Sequence, residues 1–434
     1  MPSRADITYF GAGPAALPTD VLELAAGALL DYNGTGLGIA EHSHRSEHAA
    51  TIINEAKADL ASFLDVPLDE YDVLFMQGGG TGGFAAAVYN LVGAWVVRQR
   101  AAAVAEGALA ADEADEAAVA DALRPRLASL KLDYLVTGGW SLKASQEAER
   151  LLGPEHVNVA ADARACSPDG DRGKRFGAIP AESTWRLSDD AAFVYYCDNE
   201  TVDGVEFPAF PDSLRPRADG SGGGPIVVAD MSSNILSRRV PARNFSVIFF
   251  GAQKNLGSTG VTVAVVKKSL LPQPPASLLR RLGLPVGPIV LSYETIAKNN
   301  SLYNTLSIFD VYIAGQVLKK LLATYATDKA AGQEAVSASK AALIYGALDA
   351  HPAAYRVVPD TAARSRMNIC FRVVRGGTDD DAAEKAFLAQ ATARGLTGLK
   401  GHRSVGGIRA SNYNSIPLEG AQKLAAFIEE FAKA

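Results

Sequence analysis

The sequence predicts an α/β protein, with a large domain built on a mostly parallel sheet and a smaller C-terminal α/β domain. Short apolar runs bounded by glycine alternate with longer stretches in which apolar residues recur at helical spacing. This alternation is typical of parallel strands joined by helices. A chain of 434 residues is also long enough to bury two hydrophobic cores.

The large domain is expected to hold at least six strands. They are predicted at the apolar runs Tyr71–Gln77, Leu132–Thr137, Ala192–Tyr196, Ile226–Ala229, Val247–Phe250 and Gly260–Val266. A helix over Phe84–Val97 should follow the first of them, after a glycine-rich turn.

A long amphipathic helix over Ile308–Leu322 is expected to carry the chain out of the large domain. Beyond it, a strand over Met367–Val374 and a helix over Glu419–Phe431 are enough for a small α/β domain. We therefore predict a large domain over residues 18–310. The small domain should comprise residues 311–434 together with residues 1–17.

Composition and charge narrow the class of protein. Hydrophobic residues make up 48% of the chain, and no apolar run reaches the roughly 18 residues of a membrane span. A net charge of −6 argues against nucleic-acid binding. The N-terminal residues lack a signal-peptide pattern, and the three cysteines are odd in number and widely spaced. We therefore expect a cytoplasmic protein with reduced thiols, bound to neither membrane nor nucleic acid.

The segment from Arg98 to Lys131 is rich in alanine and acidic residues. This composition predicts solvated surface helices rather than an interaction tail.

A lysine and an aspartate follow two of the predicted strands. Lys254 stands in a small-residue loop just after Val247–Phe250, and Asp230 ends the apolar run that begins at Ile226. A desolvated lysine loses proton affinity and becomes nucleophilic. A lysine that can form a Schiff base and an aspartate that can hold a pyridinium nitrogen are the two anchors of a pyridoxal-phosphate site.

A run of five glycines and one threonine, Gly78-Gly79-Gly80-Thr81-Gly82-Gly83, follows a predicted strand and opens a helix. Backbone N–H groups in this position can bind a phosphate. The run matches neither a P-loop nor a dinucleotide-binding fingerprint. Alone it is equally consistent with a tight strand-to-helix turn, but Lys254 and Asp230 favour the phosphate.

Two further side chains have a structural and a functional interpretation. Trp140 follows a predicted strand and could stack on a flat ring, although a lone tryptophan is more often part of a core. Thr201 lies in a polar loop past another strand, where its hydroxyl could contact a cofactor or simply cap a turn.

Eight motifs, which occur in the order of a known family, cover nearly the whole chain. They are Phe10-Gly11-Ala12-Gly13-Pro14-Ala15-Ala16-Leu17-Pro18, Glu41-His42-Ser43-His44-Arg45, Gly78-Gly79-Gly80, Cys197-Asp198-Asn199-Glu200-Thr201-Val202-Asp203-Gly204, Ala252-Gln253-Lys254-Asn255, Tyr303-Asn304-Thr305, Lys400-Gly401-His402-Arg403 and Arg409-Ala410-Ser411-Asn412-Tyr413-Asn414. Together they resemble the phosphoserine aminotransferases, a group of class V PLP-dependent aminotransferases. The length of the Arg98–Lys131 stretch is similar to that of fungal-type members.

The resemblance implies the PLP-dependent transferase fold of type I, with pyridoxal 5′-phosphate as cofactor. It implies that Lys254 binds the cofactor covalently and that Asp230 pairs with its ring nitrogen. The other implied cofactor contacts are Trp140 on the ring, Thr201 on the phenolic oxygen, Gly80, Thr81 and Gln253 on the phosphate, and Asn304 and Thr305 on the phosphate from a neighbouring subunit. A homodimer with shared sites follows from the last pair.

The resemblance also implies the substrates, which are 3-phosphohydroxypyruvate and L-glutamate, converted to O-phospho-L-serine and 2-oxoglutarate in serine biosynthesis. Arg409 would bind the α-carboxylate. The implied pocket for the distal anion is formed by His44, Arg45, His402 and Arg403. Glutamate and the phosphorylated substrate each carry two anions, so one arginine and one separate cationic pocket suit both.

Two positions depart from the family pattern. Thr81 stands where many bacterial relatives have an arginine, and Ala12 stands where some have a substrate-contacting serine. Both bear on phosphate affinity rather than on the lysine chemistry. The rival predictions are an alanine–glyoxylate-type aminotransferase, a cysteine desulfurase, and a non-catalytic phosphate-binding protein that keeps the fold. Retention of both Lys254 and Asp230 argues against the last.

Overall fold

The computed structural model describes residues 3–166, 176–216 and 224–433 of the chain. The α-helices in these ranges are α1 (Thr19–Leu30), α2 (Glu47–Leu64), α3 (Gly79–Ala105), α4 (Glu116–Leu123), α5 (Gly139–Leu152), α6 (Ala276–Arg281), α7 (Tyr293–Lys298), α8 (Ile308–Thr324), α9 (Lys329–Asp349), α10 (Asp381–Ala393) and α11 (Leu418–Ala432). The strands in the same ranges are β1 (Thr8–Tyr9), β2 (Tyr71–Met76), β3 (Leu132–Val136), β4 (Val157–Asp162), β5 (Phe193–Cys197), β6 (Asn199–Glu200), β7 (Val205–Glu206), β8 (Val227–Asp230), β9 (Val247–Gly251), β10 (Thr262–Lys267), β11 (Tyr355–Val357), β12 (Asn368–Arg375), β13 (Thr378–Asp379), β14 (Leu396–Thr397) and β15 (Ile408–Ser411).

A seven-stranded sheet in the order β2-β10-β9-β8-β5-β3-β4 forms the centre of the large domain. β10 alone runs opposite to the other six strands, so the mostly parallel sheet predicted from the sequence is confirmed. Successive side chains of a strand point to opposite faces of the sheet. Both faces are covered by helices, so both sets of side chains are buried and the strands read as continuous apolar runs.

The two faces of the sheet carry different helices. One core contains buried side chains of α1, α2 and α8, and the other contains those of α3 to α7. In β2, for example, Val73 and Phe75 belong to the first core and Leu74 and Met76 to the second. The result is a three-layer arrangement of helix, sheet and helix.

The helix α3 is long and apolar enough to span a membrane by length and composition alone. However, 67% of its most apolar 18-residue window is buried within the fold. Because α3 packs between the sheet and α4, a long apolar stretch here is what a core helix requires.

The small domain surrounds a third core. Strands β11, β12, β13 and β15 form an antiparallel sheet, in which β12 pairs with the other three. The N-terminal segment joins this part of the molecule, because β1 pairs in parallel with β14 and Phe10 is buried in the third core. The assignment of residues 1–17 to the small domain stays a prediction.

The helix α8 belongs to the large domain by packing. Its buried residues, including Val311, Ala314 and Leu318, lie in the first core against α2. The change of core falls within α9, where Ala330 belongs to the first core and Ala341 to the third. The domain division at residue 310 stays a prediction, and core membership would place it about one helix later.

The stretch Arg98–Lys131 is only partly the set of solvated helices that its composition predicted. Its first residues continue α3, and α4 follows. Ala103, Val119 and Leu123 are buried in the second core. A few apolar side chains among many alanines are enough to pack α4 against α3 and α6.

Candidate active site

A cavity of about 140 Å³ opens where parallel strands of the central sheet end. Its lining residues come from five separate segments: Gly78, Gly79, Gly80, Thr81, Trp140, Cys197, Asn199, Thr201, Asp230, Ser232, Ser233, Gln253 and Lys254. The carboxyl ends of β2, β3, β5, β8 and β9 lead into these segments. Ligands of open α/β sheets bind at this edge. The structure thus gathers most of the predicted cofactor residues around one space.

Lys254 lies in the turn after β9, and its side chain is half-buried. Its Nζ donates a hydrogen bond of 2.8 Å to Thr201 Oγ1. Burial lowers the pKa of Lys254 to about 8, the Asp230 carboxylate opposes this shift, and the Arg409 guanidinium adds to it. An amine with this pKa is partly neutral near pH 8 and can act as a nucleophile or base.

Asp230 is the last residue of β8 and is 7% exposed. Its Oδ1 accepts a hydrogen bond of 2.8 Å from Ser232 N. Burial raises the pKa of the Asp230 carboxyl, while the bonds from Ser232 and the charge of Lys254 oppose the rise. Its Oδ2 accepts no hydrogen bond from the described part of the chain. A carboxylate oxygen without a partner beside a cavity suits a cationic ligand atom.

The glycine-rich turn between β2 and α3 requires glycine at its first positions. Gly78 and Gly79 have φ angles of 115° and 61°, in the region that other residues rarely adopt. Gly79 N donates to Thr262 Oγ1 at 2.7 Å, which fixes the turn against β10. The N–H groups of Gly80 and Thr81 lie in the first turn of α3, where no intrahelical acceptor exists. They are therefore available to an anion.

Gly80 also keeps the space in front of Asp230 open. A Cβ atom at this position would lie 3.4 Å from Asp230 Oδ2. The cavity therefore combines an amine, an unpartnered carboxylate oxygen, an aromatic side chain and a helix N-terminus. These groups fit pyridoxal phosphate. Its aldehyde needs an amine, its ring nitrogen a carboxylate, its ring face an aromatic side chain, and its phosphate a helix N-terminus.

A second cavity of about 400 Å³ lies beside the first. Arg409, His402 and Asp203 line it, and Arg409 Nη1 donates to Thr201 O at 3.1 Å. Partial burial and the nearby Arg409 guanidinium lower the pKa of His402. The predicted α-carboxylate arginine, Arg409, is thus hydrogen-bonded to the backbone of Thr201, whose side chain is bonded to Lys254. Arg409 lines the second cavity, and Thr201 lines the first.

The predicted pocket for the distal anion is not assembled in one chain. His44 and Arg45 lie in the loop between α1 and α2, and they line neither of these two cavities. Arg403 is exposed next to His402. Since no described contact joins the two motifs, their shared role stays a prediction.

Asn304 and Thr305 lie against their own chain beside the glycine-rich turn. Asn304 Nδ2 donates to Gln77 Oε1 at 2.9 Å, and Gln77 Nε2 donates to Thr305 O at 3.3 Å. Neither residue lines the 140 Å³ cavity. A contact with a neighbouring subunit's phosphate stays a prediction.

The segment before Asn304 is held in a strained turn. Asn300 and Ser301 have φ angles of 47° and 66°. Lys57 Nζ donates to Asn300 Oδ1 at 2.8 Å, and Phe75 N donates to Ser301 Oγ at 2.9 Å. The second bond satisfies a backbone N–H on the outer edge of β2, so the turn also covers that edge.

The sequence patterns indicate no role for Glu200, Asp203 or Ser232, which the structure places around the site. Ser232 Oγ accepts from Gly251 N at 3.1 Å and thereby joins the ends of β8 and β9. Glu200 and Asp203 lie within the same motif as Thr201. Their carboxylates, in a polar loop that closely follows a buried strand, were the available signal, because buried carboxylates need partners.

Comparison with known proteins agrees with this geometry. The family model described as Aminotransferase class-V matches residues 7–132 and 173–424. The chain is 40% identical over 438 aligned positions to the phosphoserine aminotransferase of Saccharomyces cerevisiae, covering 99% of this chain and 98% of the yeast protein. It is 38% identical to that of Drosophila melanogaster, covering 98% of this chain and 99% of the fly protein.

Solved structures are similar over the same extent. Phosphoserine aminotransferase from Bacillus circulans subsp. alkalophilus superposes with a TM-score of 0.78 at 35% identity, covering 98% of each chain. PLP-bound phosphoserine aminotransferase from Trichomonas vaginalis gives a TM-score of 0.77 at 33% identity, covering 98% of this chain and 99% of that one. The chain is therefore a pyridoxal-phosphate-dependent class V aminotransferase and belongs to the phosphoserine aminotransferase family.

Proposed function

We propose that this protein transfers the amino group of L-glutamate to 3-phosphohydroxypyruvate, giving O-phospho-L-serine and 2-oxoglutarate. The observation that carries the proposal is the single cavity that brings together Lys254, Asp230, Trp140 and the glycine-rich turn. The chain's membership of the phosphoserine aminotransferase family supports the choice of substrates.

Lys254 has the central chemical role. When bound, pyridoxal phosphate supplies an electron sink that stabilises negative charge at the substrate's α-carbon. Lys254 Nζ takes the proton from that carbon as general base and returns a proton as general acid. Its lowered pKa of about 8 and its bond to Thr201 Oγ1 keep it poised for both directions near neutral pH.

The other residues of the cavity hold and orient the cofactor. Asp230 Oδ2 would pair with the protonated ring nitrogen, and Trp140 would cover a face of the ring. The first-turn N–H groups at Gly80 and Thr81, together with Gln253, would bind the phosphate. Thr81 cannot supply the positive charge that an arginine would, so the backbone and helix dipole carry more of this binding.

Substrate binding would rely on two cationic regions. Arg409 would bind the α-carboxylate in bidentate fashion, close to Thr201 and Lys254. His44, Arg45, His402 and Arg403 would bind either distal anion, the γ-carboxylate of glutamate or the phosphate. Two acidic substrates with the same spacing of charges explain why such a pocket would serve both half-reactions.

We also propose a homodimer with shared sites. His44 and Arg45 line neither cavity, and Asn304 and Thr305 are hydrogen-bonded to Gln77 beside the turn rather than lining the smaller cavity. A second chain is the simplest source of the missing contacts at each site.

A cytoplasmic location is proposed from the free thiols. Cys166, Cys197 and Cys370 are all free, and two of them are buried. Structural disulfides are rare in the reducing cytosol, and free cysteines are consistent with it. Fractionation of cells that produce the protein would test this location.

The two buried cysteines, Cys197 and Cys370, do not support the cysteine desulfurase alternative. Burial raises the pKa of Cys370 to about 12, and burial raises the pKa of Cys197 well above its usual value. Neither thiol would be ionised near neutral pH, whereas a nucleophilic cysteine needs its thiolate.

A glutamate-dependent assay tests the proposed reaction. The purified holoenzyme would be given L-glutamate with 3-phosphohydroxypyruvate, pyruvate or glyoxylate in turn, and 2-oxoglutarate would be measured. We expect the phosphorylated acceptor to give by far the highest kcat/KM. Equal or higher values with glyoxylate would support an alanine–glyoxylate-type enzyme instead.

A further inference from the structure

The N-terminus of α5, which carries Trp140, has no capping side chain of its own at the first position. Gly138 precedes the helix, and Gly139 is its first residue. The N–H groups of a first helical turn have no intrahelical acceptor and need partners when they are buried. Here the acceptors come from another segment, the four residues Glu200-Thr201-Val202-Asp203, called the 200–203 segment below.

Glu200 supplies most of these acceptors. Its Oε2 accepts from Trp140 N at 2.9 Å. Its Oε1 accepts from Ser141 N at 2.8 Å and from Ser141 Oγ at 2.6 Å. Asp203 Oδ2 completes the set by accepting from Gly139 N at 2.9 Å. Two carboxylates from one segment therefore bind three consecutive N–H groups of one helix end.

Burying the two carboxylates costs free energy, which the hydrogen bonds from the helix N-terminus partly offset. Glu200 has no measurable exposure, and burial together with the Asp203 charge raises the pKa of Glu200 to about 7 while its donors oppose the rise. The close approach also explains Gly138. A Cβ atom there would lie 2.3 Å from Glu200 Cδ, so no other residue fits without displacing the carboxylate.

The same segment contacts the reactive lysine and the substrate arginine. Thr201 Oγ1 accepts from Lys254 Nζ at 2.8 Å, and Thr201 O accepts from Arg409 Nη1 at 3.1 Å. Glu200 is the adjacent residue in the chain. One short piece of backbone thus sets the relative positions of Trp140, Lys254 and Arg409.

We propose that Glu200 is a positioning residue, which fixes the Trp140 ring relative to Lys254 by binding the first turn of α5 to the 200–203 segment. The proposal deepens the proposed function, because it rests on Trp140 covering the cofactor ring. Glu200 itself touches neither substrate nor reacting atoms in this role. Its loss should therefore loosen the ring's position before it affects proton transfer by Lys254.

The variant Glu200→Gln tests the proposal, with Glu149→Gln as a matched control. Glutamine keeps the size of the side chain but replaces one acceptor oxygen by an NH₂ group that faces N–H donors. Glu149 is an exposed residue of the same helix. We expect Glu200→Gln to weaken pyridoxal-phosphate binding by roughly 10- to 100-fold, as loss of charge-assisted hydrogen bonds does. The control should bind like the unmodified protein.

Hydrogen–deuterium exchange of the cofactor-free proteins gives a readout that does not depend on activity. Glu200→Gln should speed exchange in residues 138–146 while the strands of the central sheet stay protected. Glu200→Asp, which keeps the charge, should restore part of both the protection and the affinity. A merely structural role would instead raise exchange throughout the large domain, and this outcome would overturn the proposal.

A second variant covers the case in which Glu200→Gln does not fold. Gly138→Ala leaves Glu200 intact but pushes its carboxylate from the helix end, so it should reproduce the affinity loss and the local exchange. Unchanged cofactor affinity in both variants would also overturn the proposal. If the unmodified protein itself failed to bind pyridoxal phosphate, the proposed function would fail instead.

Discussion

Lys254 Nζ and Thr201 Oγ1 lie 2.8 Å apart, although they follow two strands that are not neighbours in the central sheet. Strand β8 lies between β5 and β9, and it ends in Asp230. The hydrogen bond thus crosses above the end of β8. The amine and the Asp230 carboxylate line the same cavity, and the carboxylate charge acts on the lysine.

Lys254→Ala should remove turnover almost completely. Loss of general acid–base catalysis alone typically lowers the rate roughly 10²–10⁴-fold, and the variant would also lack the covalent bond to the cofactor. Borohydride treatment of the holoenzyme followed by peptide mass spectrometry should find the pyridoxyl group on Lys254. Lys385→Ala, at an exposed site, serves as the control. Labelling of a different lysine would refute the assignment.

The reactivity of Lys254 should rise with pH about a midpoint near 8 in the cofactor-free protein. The neutral amine is the reactive form, and burial lowers the pKa of Lys254 from 10.5 to about 8. The unprotonated fraction therefore grows as pH rises through 8. Competitive acetylation measured by mass spectrometry checks this, with exposed Lys385 as reference. A midpoint for Lys254 near 10.5 would show that the side chain is solvated.

Asp230→Asn should lower turnover strongly while the cofactor still binds to Lys254. The amide is neutral and cannot stabilise a protonated ring nitrogen, so the electron sink weakens. The absorbance spectrum would report cofactor binding, and a glutamate assay would report turnover. Asp189→Asn, at an exposed position, controls for the loss of one charge. Near-normal turnover would mean that Asp230 only ends its strand.

The shared-site proposal can be checked by mixing two inactive variants. Lys254→Ala chains and Asn304→Ala/Thr305→Val chains should regain activity after subunit exchange, because each hybrid dimer would contain one complete site. Mass spectrometry of intact dimers would verify the exchange. Verified hybrids without activity would indicate that each site is built within one chain.

Arg45→Ala and Arg403→Ala should lower kcat/KM for 3-phosphohydroxypyruvate and for glutamate by roughly 10- to 150-fold, since each removes a charge-assisted interaction. Alanine and pyruvate carry no distal anion, so their kcat/KM should change little. Arg409→Ala should weaken all amino-acid substrates, which share the α-carboxylate. Arg280→Ala, an exposed arginine, is the control. Equal losses with alanine and phosphoserine would mean that Arg45 and Arg403 are structural.

The strands of the large domain were predictable because burial on both faces makes them continuous apolar runs. The run predicted at Val247–Phe250 corresponds to β9, and the one at Tyr71–Gln77 corresponds to β2. Lys254 and Asp230 were found for a related reason, since polar residues that end such runs lie at one edge of the sheet.

Other features depend on contacts that no local pattern encodes. The hydrogen bond that Glu200 accepts from Trp140 N of α5 joins segments that are far apart in sequence, and only the fold brings them together. The burial of Val119 and Leu123 in the second core was not predictable from the sequence, because the alanines around them weaken the apolar pattern. In the proposed dimer, the position of Arg45 relative to Arg403 would depend on a second chain, so neither the sequence pattern nor one protomer would determine it.

The left-handed turn at Asn300 and Ser301 has a consequence for assembly. Lys57 and Phe75 secure this turn inside each protomer, and Asn304 is already bonded to Gln77. The conformational entropy of ordering this segment is therefore lost during folding of the single chain rather than during association. In the proposed dimer, two preformed surfaces would meet, so the encounter would resemble rigid docking and would not wait for a loop to order.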